Sequence, residues 1–74
     1  MDWENAIKYY EKGISMEPNY AMIYNNLGSV YKTKKNYTLA ENYYNQSIKL
    51  DNKIPEAQNN IGNLYIDLNK FDEA

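Results

Sequence analysis

An all-α fold of antiparallel helix hairpins, stacked side by side into a superhelix, is what this chain of 74 residues predicts. Three observations carry the prediction. Gly28 and Gly62 lie 34 residues apart, and their surroundings repeat with them: Asn25-Asn26-Leu27-Gly28 and Tyr31 return as Asn59-Asn60-Ile61-Gly62 and Tyr65. An aromatic followed three residues later by alanine occurs three times in the same register, as Trp3 and Ala6, Tyr37 and Ala40, Phe71 and Ala74. Each period also holds two stretches, Tyr24, Leu27, Gly28, Tyr31 and then Ala40, Tyr44, Ser47, Ile48, whose members recur about one and two helical turns apart, the spacing of a helix with one packed face. A fixed period of this length marks an array of helical hairpins, in which neighbouring units bury their apolar faces jointly.

The elements follow in order. The first helix is expected over 3–16, with Trp3, Ile7, Tyr10 and Ile14 on one face. The second, over 21–34, carries Tyr24, Leu27, Gly28 and Tyr31, and Asn36 beyond it tolerates the left-handed conformation that a helix end often needs. The third, over 38–51, opens on Thr38 followed by Glu41, the pattern of a capping box. Pro55 suits the first turn of a fourth helix over 55–68, Asn69 repeats the part of Asn36, and a fifth helix begins near 71. Gly28 and Gly62 lack a Cβ, so a neighbouring helix can approach closely, and Ala6, Ala40 and Ala74 are the expected small surface opposite.

Tyr24, Leu27-Gly28, Tyr31, Ala40, Tyr44 and Ser47, taken as one pattern, resemble the tetratricopeptide repeat family, with Asn52 where the family has proline. A third unit shows Gln58 at the bulky position, then Ile61-Gly62, Tyr65 and Ala74, and a first shows Ala6, Tyr10, Gly13 and Pro18. The resemblance covers the whole chain. It divides it into the second half of one repeat (1–20), one full repeat (21–54), and the first helix with the start of the second helix of another (55–74). It implies a piece of a longer superhelical array. The half-repeats then leave Trp3, Ile7, Tyr10 and Ile14 at one end and Ile61, Tyr65 and Leu68 at the other, and head-to-tail self-association through these residues is expected.

Composition narrows the functions. A net charge of −2 gives no long-range attraction to nucleic acid or to an anionic membrane, and no apolar run is long enough to span a bilayer. An intracellular setting, cytoplasmic or nuclear, is expected, since no signal-like segment opens the chain. Histidine and cysteine are absent, which removes the commonest general base, the commonest metal ligand and the thiol nucleophile. The carboxylates are scattered along helix surfaces, and the three glycines never cluster into a phosphate loop. No catalytic residue, cofactor or metal site is therefore expected, and a protein or peptide is the expected partner.

Candidate binding residues come from the first helices. Asn25, Asn26 and Ser29 recur as Asn59, Asn60 and Asn63, away from the packed stripe, and Lys32 and Glu56 extend the polar row. The resemblance implies that first helices line the concave groove of the superhelix. An asparagine both donates and accepts, so a row of them can hold an extended peptide by its backbone. Asn26 and Asn60 match the ladder position of O-linked N-acetylglucosamine transferase-type arrays, and the run from Tyr24 to Lys32 is similar to those repeats. The substrate-recognition part of a larger glycosyltransferase is accordingly an alternative to a general interaction scaffold. A structural or oligomerisation segment with no groove ligand is another. The family's carboxylate clamp for chaperone tails is disfavoured, because Asn25, Ser29, Glu56, Asn59 and Asn60 stand where basic side chains would be needed and Glu56 would repel a terminal carboxylate. Lys32, Lys34 and Lys35 form the one basic cluster, at a helix end where cations complement the dipole.

Overall fold

The computed structural model describes residues 2–73, with side chains described for 2–69. Four helices follow one another: α1 (Trp3–Met16), α2 (Ala21–Thr33), α3 (Tyr37–Leu50) and α4 (Pro55–Glu73). The molecule measures 41 × 29 × 15 Å, with a radius of gyration of 12.3 Å, above the roughly 11 Å of a globular chain this long. So thin a slab, not much more than one helix diameter deep, suits an array that grows sideways.

The period seen in the sequence returns as hydrogen bonds 34 residues apart. Asp2 caps α1 by accepting from the Asn5 amide at 3.1 Å, and Asn36 caps α3 by accepting from the Leu39 amide at 3.4 Å. At the other ends of these helices the Glu17 amide donates to the Gly13 carbonyl at 2.8 Å and the Asp51 amide to the Ser47 carbonyl at 2.9 Å. The two positions that departed from the family pattern are also coupled. Tyr24 donates its hydroxyl to the Pro18 carbonyl at 2.7 Å, and Gln58 donates its side-chain amide to the Asn52 carbonyl at 2.6 Å. A long donor on the helix satisfies the same turn carbonyl in both units, by phenol in one and by carboxamide in the other.

The turn after α2 differs from the expected one. Lys35, at φ 67°, takes the left-handed conformation, and Asn36 does not. The Lys35 amide donates to the Lys32 carbonyl at 2.9 Å and the Asn36 amide to the Tyr31 carbonyl at 2.8 Å, the paired bonds of a Schellman motif. Asn36 is thereby free to cap α3, so the helix starts at Tyr37 and Thr38 lies inside it instead of forming a capping box with Glu41. The corresponding turn after α4 is not made. α4 continues as one helix to Glu73, with neither a break at Asn69 nor a new helix near 71.

The core lies between α2, α3 and α4. Leu27, Ala40, Ala57 and Leu64 are fully buried, with Tyr44 at 1% exposure. Ala40, Tyr44 and Leu64 form one cluster, against which the partly buried Tyr31, Tyr37, Ile61 and Leu68 pack. A Cβ placed on Gly28 would lie 2.6 Å from the Tyr44 ring, so the glycine does mark a close helix approach. Its partner is the flat face of Tyr44; the expected alanine, Ala40, packs in the cluster with Leu64. Gly62 has nothing within 4 Å. Ala6 is half-buried, and Ala74 lies outside the described residues. Below the glycine, Ser47 is buried and donates its hydroxyl to the Ala21 carbonyl at 2.9 Å, which locks the far end of the hairpin.

Candidate functional site

The eight polar residues expected to line a groove fall into three groups. Asn25 is buried at 4% exposure, and its side-chain oxygen accepts from the half-buried Asn60 amide at 2.9 Å, a bond that joins the first helices of consecutive units. Lys32 makes a second link between the same helices, its Nζ lying 3.4 Å from the Asp67 carboxylate. Both partners of that ion pair keep water contact, so it adds no more than about 1 kcal/mol. Ser29 turns inward to the second helix, with its hydroxyl 3.0 Å from that of Tyr44. Asn26 lines a cavity between α1 and α2, and Glu56, Asn59 and Asn63 stand exposed along α4. The amide row exists, but half of it stitches helices together and half faces solvent.

The basic cluster is dispersed. Lys32 points to Asp67, Lys34 holds its ammonium 5.8 Å above the Tyr31 ring, and Lys35 occupies the left-handed turn. They do not converge on one anion.

On the opposite side of α2 the tyrosines stack. The Tyr43 ring lies 5.5 Å from that of Tyr31 at an interplanar angle of 4°, and 6.4 Å from that of Tyr24 at 28°. Burial, followed by the neighbouring Tyr31, Glu11 and Tyr24, raises the Tyr43 phenol above its ordinary value near 10. Tyr65 is raised as well, first by its hydrogen bond to Glu41, whose carboxylate is satisfied only by the protonated phenol. In both cases the folded chain holds the proton more tightly than the unfolded chain does. The stability this contributes is complete below pH 10 and is lost as pH rises through the raised values. Tyrosinate absorbance in the native chain should therefore lag behind that of the urea-unfolded chain on alkaline titration. Coincident curves would contradict the stack and the Tyr65–Glu41 bond.

The residues expected to self-associate are divided between packing and exposure. Trp3, Ile7, Tyr10 and Ile14 on α1 are half-buried. Ile61 and Leu68 are half-buried against the core cluster, while Tyr65 is 44% exposed. A cavity of about 460 Å³ opens between α1 and α2 and is lined by Tyr9, Tyr10, Gly13, Ile23 and Asn26 among others. Among the described residues no group of three His, Cys, Asp or Glu could hold a metal ion. No helix of the described residues is long and apolar enough to cross a membrane.

Sequence reading passed over Asp67, Ala57 and Leu64. The apolar pair was legible in principle: Ala57 and Leu64 are seven residues apart on α4 and both fully buried, with Leu64 packed on Ala40 and Tyr44 of α3, beside the stripe of Ile61, Tyr65 and Leu68. A first helix in such an array touches a second helix on each side and so needs two faces.

A fold of repeated helix hairpins, with a close glycine–tyrosine approach between α2 and α3, defines a class of helical-repeat scaffolds. Family models agree: one described as tetratricopeptide repeat matches residues 21–54 and 55–74, and one described as TPR repeat matches residues 2–35. The chain belongs to the tetratricopeptide repeat family, whose repeats generally mediate protein–protein interaction. Among curated relatives it is similar to Protein O-mannosyl-transferase TMTC3 of Homo sapiens, 29% identical over 73 residues, covering 99% of this chain and 8% of that protein. Tetratricopeptide repeat protein 6 of Homo sapiens is 31% identical over 48 residues, 65% of this chain and 9% of the relative. Uncharacterized protein ycf37 of Guillardia theta is 34% identical over 61 residues, 80% of this chain and 34% of the relative. The chain thus spans a small part of the relatives it matches.

Proposed function

We propose that this chain is a protein–protein interaction scaffold that holds an extended partner segment along its first helices. The observation that carries the reading is the row of open amides on α4, Asn59 and Asn63, continued by the half-buried Asn60 and Asn26. Buried Asn25, bonded to Asn60, fixes the orientation of that carboxamide, and Ser29 and Lys32 brace the same surface through Tyr44 and Asp67. Glu56, exposed at the start of α4, favours a partner without a carboxylate at that point. An intracellular setting, cytoplasmic or nuclear, belongs to the same reading.

The test uses positions that carry no fold contact. Asn59→Ala with Asn63→Ala should weaken binding of an extended peptide, selected on a peptide array, by about tenfold or more, two hydrogen bonds at about 1 kcal/mol each being lost. Melting should be unchanged. Undiminished affinity overturns the reading. Asn60→Ala is the contrasting variant, because it also strands the buried Asn25 oxygen and should lower stability.

A second reading has its own support. The similarity to a protein named as an O-mannosyl-transferase, together with Asn26 and Asn60 at the ladder position of O-linked N-acetylglucosamine transferase-type arrays, favours the substrate-recognition part of a larger glycosyltransferase. Catalysis would then lie in another region. A selected peptide that is itself glycosylated by the protein containing this segment supports it, and one that is never modified counts against it.

A further inference from the structure

α1 and α3 both pack on α2 but not on each other, and a cleft of about 400 Å³ is left between them. Glu11, Ile14 and Ser15 of α1 form one wall, Tyr43 and Gln46 of α3 the other, and the buried Tyr24 of α2 the floor. None of the amide row lines it. Nor does the repeat reproduce its chemistry, since one period on Glu11, Ser15 and Tyr24 become Asn45, Lys49 and Gln58.

Two observations say what such a cleft accepts. Tyr43 is stacked on both Tyr31, at 5.5 Å, and Tyr24, at 6.4 Å, and the Tyr31 end of this row already carries a cation, the Lys34 ammonium 5.8 Å from the ring centre. The Tyr24 end opens into the cleft, whose lining holds no cation. At the rim, exposed Glu11 lies near enough to help raise the Tyr43 phenol, after burial and Tyr31, yet among the described residues its carboxylate has no cationic partner. Tyrosine faces, a free carboxylate and the side-chain oxygens of Ser15 and Gln46 all suit one group, a cation with several N–H donors. A guanidinium fits better than an ammonium, because its plane stacks on a ring while its edge forks onto a carboxylate.

We infer that the cleft between α1 and α3 holds an arginine side chain of a partner protein, its guanidinium against Tyr43 and its N–H groups on Glu11. These 74 residues contain no arginine, so a second copy of them cannot supply the group. The inference goes beyond the scaffold reading by adding a contact on the second helices, and it holds whether or not the amide row binds a peptide. Glu11 stays in contact with water, so the site selects a partner more than it supplies affinity.

The experiment is a nuclear magnetic resonance titration of the full chain with a short capped peptide of glycine and arginine, up to low millimolar concentration. Two control peptides replace arginine by citrulline, its uncharged isostere, and by lysine. Backbone amide signals of Glu11, Ser15, Tyr43 and Gln46 should shift with the arginine peptide and much less with citrulline. Glu11→Gln should lower the association constant about fivefold through loss of one exposed ion pair, with the melting temperature unchanged. Tyr43→Leu keeps an apolar wall without the ring face and should lower it about threefold, circular dichroism checking that the helices remain. No shift with arginine, equal binding of the citrulline or lysine peptide, or wild-type binding by Glu11→Gln overturns the inference. Shifts confined to Asn59, Asn60 and Asn63 overturn it as well. Repeating the titration on Asn59→Ala with Asn63→Ala keeps the two tests apart, since cleft binding should persist there when groove binding is lost.

Discussion

Gly28→Leu is expected to destabilise the chain by about 2 kcal/mol, while the same change at Gly62, its repeat in sequence, should leave it slightly more stable. At Gly28 the new Cβ alone would lie 2.6 Å from two ring carbons of Tyr44 and 3.1 Å from a third. The ring has no room to retreat, since Tyr44 is fully packed and its hydroxyl is paired with Ser29. Overpacking of this kind costs about 3 kcal/mol, offset by about 0.8 kcal/mol of helix propensity when glycine is replaced. The remainder is a large share of the roughly 3–5 kcal/mol that a core this small can supply. Nothing lies within 4 Å of a Cβ at Gly62, so only the propensity gain is left there. Urea unfolding followed by circular dichroism decides it at low protein concentration. Equal losses at both glycines would show that the α2–α3 seam is not closed through Tyr44.

The contrast between these two glycines also shows what a repeat sequence can and cannot disclose. Period and apolar spacing located α1 at its observed bounds and α2 and α3 to within one residue, because backbone geometry within a hairpin depends on local pattern. What a position touches depends on the unit next to it, and there equal letters part company. Asn25 and Asn59 are the same residue at the same step of the period, yet Asn25 is buried under Asn60 and Asn59 is exposed. Tyr24 and Gln58 look unalike, yet both satisfy the turn carbonyl six residues before them. The left-handed residue could not be picked by type, since asparagine is favoured both there and at a helix N-cap. The structure gives Asn36 the cap and leaves Lys35 the positive φ. For the candidate site the row of amides was legible, and its division into internal links and open donors was not.

The neighbours Leu64 and Tyr65 provide the second large effect and a test of the two-faced first helix. Leu64 is fully buried in the cluster with Ala40 and Tyr44, whereas Tyr65 is 44% exposed and holds Glu41 from the surface. Leu64→Ala removes three carbons from a place where three helices meet, and the surrounding Ala40 is too small to shift into the gap. A loss of about 3 kcal/mol or more follows from the lost transfer energy and the cavity together. Tyr65→Ala exchanges a ring already half in water and one surface hydrogen bond, so less than about 1 kcal/mol is expected. If α4 instead packed mainly through the stripe of Ile61, Tyr65 and Leu68, the order would reverse. Thermal unfolding of both variants at low concentration separates the alternatives. A Tyr65 variant that melts below the Leu64 variant would mean that α4 lies on α3 in a different rotation.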